Sequence, residues 1–150
     1  MSKATPDELK AEQFNAVQFG VEDGAVWDAY LQALLDEQAF VVKERVGAAV
    51  YDSTDAVVIN RIKRTERFLA AAELWLRRMN QIESDVTVSG EDTKNQGFTR
   101  YKTNYKSYYD KARAELAALP SASAMPTEAS SAPAFGAVLT SHFQQNGTAP

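Results

Sequence analysis

The chain has 150 residues, 45% of them apolar and 24% charged, a net charge of −4 and no cysteine, which describes one ordinary soluble domain with a modest core. That composition excludes disulfides, thiolate metal sites and a cysteine nucleophile, and fits manufacture in a reducing cytoplasm. No run approaches the ~18 apolar residues a membrane span needs, and residues 1–20 hold no signal-peptide core, so no membrane partner is expected.

The net charge conceals an asymmetry. Residues 1–55 hold four Lys/Arg and eleven Asp/Glu, whereas residues 56–119 hold twelve against eight. An acidic and a basic half can attract each other head to tail between neighbouring copies, or face each other inside one monomer. Both arrangements are open, with the intramolecular one favoured.

Thr5-Pro6-Asp7-Glu8 is a helix start: Thr5 as cap, Pro6 in the first helical position and Glu8 closing a capping box. The helix is expected to reach about Phe19 and end near Gly20, with Leu9, Phe14, Val17 and Phe19 on a loose apolar face. Asp23 is the next candidate cap, opening a second helix from about Gly24 to Val46. Trp27, Tyr30, Leu31, Leu34, Leu35, Val41, Val42 and Val46 mostly recur there at three- and four-residue steps, so one face is buried. Gly47 weakens or stops it, and Asp52-Ser53-Thr54-Asp55 is a polar break rich in caps.

The third helix, about 55–82, has the clearest pattern. Val58, Ile62, Thr65, Leu69, Ala72, Leu76 and Met79 follow alternating steps of four and three, the spacing of a packed seam. Phe68 and Trp75 widen the seam. Arg61, Lys63, Arg64, Arg67, Arg77 and Arg78 take its flanks and the opposite side. Residues 83–97 form a connector, read as a loop although Asp85–Ser89 alternates enough to allow a strand pair. A fourth helix is expected from Asn95 or Gly97 to Leu119, with Phe98, Tyr101, Tyr105, Tyr108, Ala112, Leu116 and Leu119 on its apolar face and Pro120 ending it.

Residues 120–150 differ in kind, with one charged residue, Glu128, and four of the five prolines. The segment is either a flexible end or a docking segment that orders on a neighbour, for example as an added strand. Its apolar island, Phe135, Val138, Leu139 and Phe143, supplies the candidate anchors for a partner. The domain organisation is therefore a helical domain, 1–119, and a C-terminal docking tail, 120–150.

Catalytic chemistry finds no support. The single histidine, His142, sits in the tail beside no fixed acid or nucleophile. No HExxH, CxxC or EF-hand pattern is present, and Gly90 and Gly97 make no phosphate loop. The chain reads as a non-enzyme with no cofactor and no metal. Nucleic-acid binding has more support: Arg61, Lys63, Arg64 and Arg67 cluster on the third helix, and Arg100, Lys102 and Lys106 interleave with Tyr101 and Tyr105 on the fourth. The basic residues Arg61, Lys63, Arg64, Arg67, Arg77 and Arg78 equally suit a channel wall or a subunit contact.

This layout resembles the small helical head–tail connector (adaptor) proteins of tailed bacteriophages over roughly residues 5–119. The resemblance rests on the early helix at Thr5-Pro6-Asp7-Glu8-Leu9 and the long helix ending Phe40-Val41-Val42-Lys43-Glu44-Arg45-Val46-Gly47. It extends to the small-residue run Phe68-Leu69-Ala70-Ala71-Ala72-Glu73-Leu74-Trp75, the tyrosine-rich last helix and the C-terminal extension. It implies a ring of about twelve copies docked below the portal protein at the head–tail junction of a virion. The ring would extend the DNA channel, with non-specific contact to genomic DNA, and meet a tail or stopper protein. Residues 120–150 would then reach a neighbouring subunit or the portal. The expected fold is all-α, a four-helix bundle-like domain with an extended low-complexity tail. The alternative function is a small DNA-binding or regulatory protein using the basic third and fourth helices.

Overall fold

In the computed structural model, which describes residues 1–84, 91–120 and 122–125, every regular element is helical. The elements are α1 (Pro6–Lys10), a 3-10 turn (Ala16–Phe19), α2 (Ala25–Val46), α3 (Ala48–Tyr51), α4 (Ala56–Ser84) and α5 (Glu91–Ala117). The all-α, bundle-like expectation holds, with α1 as a much shorter first helix than its sequence suggests.

Thr5 caps α1 through the expected box: its Oγ1 accepts from the Glu8 amide at 3.5 Å, and Glu8 Oε2 accepts from the Thr5 amide at 3.0 Å. The helix nevertheless stops at Lys10 instead of running to Phe19. Leu9 and Phe14 lie five residues apart, about 140° around a helix, so a continuous helix cannot turn both inward. A reversal through Gln13, at φ 69°, brings Leu9, Phe14 and Ala16 into one core. Asn15 then caps the 3-10 turn, and Gly20 ends it in the left-handed region at φ 65°.

Asp23 does not cap α2. Gly24 holds the cap position at φ 75° and ψ −131°, and the Asp23 carboxylate accepts only from the Gly24 amide, at 2.8 Å. Gly47, at φ 81° and ψ 158°, ends α2. The polar break follows the single turn of α3, and Asp55 is the cap used: its Oδ1 accepts from the Val57 amide at 2.7 Å and the Val58 amide at 3.4 Å.

Helix α4 is the axis of the domain, packing against α5 above all and also against α2, α1 and α3. Two apolar clusters sit along it. The first joins Leu9, Phe14 and Ala16 to Trp27, Leu31, Leu34 and Leu35 of α2 and to Ala70, Ala71 and Leu74 of α4. The second joins Ala39, Val42 and Val46 to Tyr51, to Ile62 and Leu69 of α4, and to Ala112, Leu116 and Leu119. The early part of α4 thus meets the late parts of both α2 and α5, so α2 and α5 run antiparallel to it. Within the expected seam, Ile62, Thr65, Leu69 and Ala72 are buried, while Val58, Leu76 and Met79 are half-buried. Glu66, Ala70, Ala71 and Leu74 are buried as well, because α4 is covered on more than one side.

Helix α5 begins at Glu91, ahead of the expected Asn95 or Gly97, and Gly97 lies within it. The suggested strand pair at Asp85–Ser89 falls on residues 85–90, outside the described residues.

Candidate docking surfaces

The six basic residues of α4 do not form one open face. Arg61 and Arg64 both reach Glu115 of α5, at 3.2 and 3.4 Å. Arg67 pairs with Glu12 at 3.2 Å and lies over the Phe68 ring, 5.0 Å from its centroid. Arg77 meets Glu73 at 3.0 Å and donates to the Tyr30 hydroxyl at 2.8 Å. Arg78 donates to the Gln18 carbonyl at 2.6 Å and to the Tyr101 hydroxyl at 2.9 Å. Five of the six therefore fasten α4 to other elements or along itself, and Lys63 alone among them has no such partner among the described residues. Lys63, Arg64 and Arg67 line an open hollow of about 240 Å³ with Asn60 and Glu8.

The acidic and basic halves meet within the monomer at Glu12. Its carboxylate holds Arg67 through Oε1 and accepts from the Tyr108 hydroxyl through Oε2, at 2.7 Å. Burial, with Glu12 adding to it, pushes the Tyr108 phenol up to about 12. Tyr101, Tyr105 and Tyr108 are half-buried, and Tyr101 and Tyr108 support α5 against α4, with Trp75–Tyr101 and Phe68–Tyr108 ring centroids 5.4 and 6.2 Å apart. The bodies of Tyr101 and Tyr108 are committed to packing, so these two do not stand free as a base-stacking platform.

Glu66 is fully buried on α4. Its Oε2 accepts the Lys3 and Ala4 amides at 2.7 and 2.8 Å, and its Oε1 accepts from the Tyr51 hydroxyl at 2.5 Å. Burial pushes its carboxyl up from the ordinary range, against the pull of these hydrogen bonds. Residues 1–4 are held further by Asp36 of α2, which accepts the Ser2 amide at 2.6 Å. The sequence signal for Glu66 was its place between Ile62 and Ala70 at four-residue steps, a buried register occupied by a carboxylate.

The start of the tail is bound to the body. Ser123 donates its amide to the Arg45 carbonyl at 2.9 Å, and Arg45 Nη1 donates to the Ala124 carbonyl at 3.1 Å. Ala122 and Met125 pack on the second cluster. Packing thus continues past Leu119 to Met125. Phe135, Val138, Leu139, Phe143 and His142 lie outside the described residues. Phe40, by contrast, is a large apolar side chain left 64% exposed on α2.

No group of three or more His, Asp or Glu among the described residues is placed to hold a metal. No helix among them is long and apolar enough to cross a membrane. No protein-family model, curated protein or solved structure matches the chain.

Proposed function

We propose that this protein is a structural head–tail connector of a tailed bacteriophage. In this reading about twelve copies form a ring beneath the portal protein, extend the DNA channel and offer a surface to a tail or stopper protein. The observation that carries it is the passage of Phe68–Trp75 through the middle of the domain. Ala70, Ala71 and Ala72 are at most 2% exposed, letting the elements around α4 approach closely. The resemblance to the connectors implies an alanine-rich helix crossing the bundle core at this run. The bound start of the tail adds support, since it launches residues 126–150 from the second cluster.

A pull-down from cells making the natural particle tests the reading, with the full chain compared with one ending at Met125, so that the packed residues are kept. Recovery of a portal or tail protein by the full chain, reduced by the truncation or by serine at Phe135, Val138, Leu139 and Phe143, is expected. Recovery of only DNA-bound regulatory proteins, indifferent to those changes, would remove the connector role.

The second reading, a small DNA-binding or regulatory protein, is favoured by the hollow at Asn60, Lys63, Arg64 and Arg67. Lys63→Glu is the cleaner probe, because Arg61 and Arg64 also hold Glu115. A regulatory protein using this hollow loses DNA affinity in that variant, whereas a connector keeps its portal recovery.

A further inference from the structure

Helix α2 is apolar on two sides. Trp27, Leu31, Leu34, Leu35, Ala39, Val42 and Val46 fill the core, yet Val26, Ala29 and Ala33 line the exposed side at three- and four-residue steps, with Phe40 two turns further on beyond Glu37. A surface helix ordinarily keeps one polar face, so this side has the composition of a contact without one in the monomer. Its later half is a distinct stripe, Glu37, Phe40, Val41 and Glu44, at positions i, i+3, i+4 and i+7. Neither glutamate has a partner among the described residues.

Helix α5 carries a basic, aromatic stripe at positions i, i+3, i+4 and i+7, Lys102, Tyr105, Lys106 and Tyr109, with its two lysines four residues apart against seven for the two glutamates. Both lysines are exposed and have no partner among the described residues, while the two half-buried rings lie 5.9 Å apart. Like charges four residues apart on a helix repel mildly, and opposed carboxylates would relieve Lys102 and Lys106. Each stripe spans seven steps, about 10.5 Å of helix, and the flexible stems of two lysines about 6 Å apart along the axis adjust the final reach.

We infer that the Glu37–Glu44 stripe of α2 docks on the Lys102–Tyr109 stripe of α5 in a second copy of this chain. Charge complementarity selects that occupant: the tail beyond Met125 offers only His142 to set against two carboxylates. The two stripes lie on different helices, so each copy carries both halves of the contact. The contact is therefore heterologous, every copy offering one donor and one acceptor face, and it propagates until a rotation closes it. At its centre Phe40 is covered by the tyrosine rings, with the ion pairs as the rim. The inference rests on the ring in the connector reading and asks nothing of the portal.

The test mixes full-length protein with its uniformly ¹⁵N-labelled form and joins touching carboxylates and amines with a zero-length carbodiimide. Mass spectrometry is expected to find mixed-isotope peptides linking Glu37 or Glu44 to Lys102 or Lys106, abundant at low salt and suppressed at high salt. E37K/E44K and K102E/K106E, each alone, set like groups against each other and should form no link between these two stripes, with unchanged helicity. An equimolar mixture of the two variants should restore linkage between copies through the reversed positions. Links confined to one isotope, links between copies through other surfaces, links through Glu128, or a mixture that restores nothing would overturn the interface. Portal recovery lost while these links persist would remove the connector reading and leave the interface standing.

Discussion

Tyr51 donates its hydroxyl to Glu66 Oε1 at 2.5 Å, at the point where the N-terminal residues, α3 and α4 meet. Glu66 is fully buried, and the Lys3 and Ala4 amides complete its environment. A buried carboxylate is tolerable only because these donors replace water. Glu66→Ala would leave two amides unmatched and the Tyr51 hydroxyl with only the Met1 carbonyl, at 3.4 Å, and is expected to cost about 3 kcal/mol. Tyr51→Phe removes one donor and should cost about 1–2 kcal/mol. Urea unfolding of the three proteins measures both, and a Glu66→Ala loss within experimental error would mean that the N-terminal residues are not held there.

The same carboxyl gives the fold an unusual pH response. Burial raises the folded-state pKa of Glu66 above its ordinary 4.5. The folded state then binds the proton more tightly than the unfolded chain, so this contribution is fully present below pH ~4.5 and declines as pH rises through the folded pKa. Most paired carboxylates act in the opposite sense. Glu66→Gln removes the titration while keeping an acceptor, so the stability of the wild type relative to this variant should be greater in mild acid than at neutral pH. An equal difference at both values would show that Glu66 titrates normally.

Glu12 joins the turn after α1 to α4 and α5 by holding both Arg67 and Tyr108. Burial comes first and Glu12 second in pushing the Tyr108 phenol up to about 12. In Glu12→Gln the tyrosine absorbance titration should therefore gain a component nearer 10, with burial keeping it above that value. The variant should lose only about 1 kcal/mol, since the pair with Arg67 is partly open to solvent. A titration unchanged by the substitution would place the Tyr108 hydroxyl elsewhere.

The elements legible in the sequence were those where periodicity and caps agree. The seam of α4, with Ile62, Thr65, Leu69 and Ala72 buried, follows from its steps of four and three, and Thr5 and Gly47 act as their residue types suggest. The end of α1 was not legible, because Gln13 has no local feature that marks a left-handed residue. Tertiary packing of Leu9 and Phe14 decides it. The basic cluster was legible as charge but not as geometry: Glu12 and Glu115, 55 and 51 residues from Arg67 and Arg64, turn a continuous face into separate ion pairs. Long-range pairing of this kind leaves no local signal.

Two glycines with positive φ should respond differently to substitution. Gly20, at φ 65° and ψ 26°, occupies the left-handed helical region, which asparagine also enters. Gly47, at φ 81° and ψ 158°, lies where essentially only glycine is found. Neither has a neighbour that an added Cβ would strike, so backbone conformation alone decides. Gly20→Asn should stay within about 0.5 kcal/mol of the wild type, and Gly47→Ala should lose about 1–3 kcal/mol. Thermal melts of the two variants compare them directly, and equal midpoints would contradict the distinction.

The last prediction separates the bound start of the tail from the rest. Arg45 has one of the carbonyls left open at the end of α2, and the Ser123 amide meets it at 2.9 Å while Arg45 itself reaches the Ala124 carbonyl. Ala122 and Met125 cover part of the second cluster. A chain ending at Leu119 loses these bonds and exposes that apolar surface, which should cost about 2 kcal/mol. A chain ending at Met125 keeps them all and should unfold within about 0.5 kcal/mol of the full protein. The docking proposed for Phe135, Val138, Leu139 and Phe143 can then be tested without weakening the body, so a loss of partner in the longer truncation product would report on residues beyond Met125. Equal stability of the two truncated chains would mean that Ala122–Met125 contributes nothing to the fold, and the cut at Leu119 would serve as well.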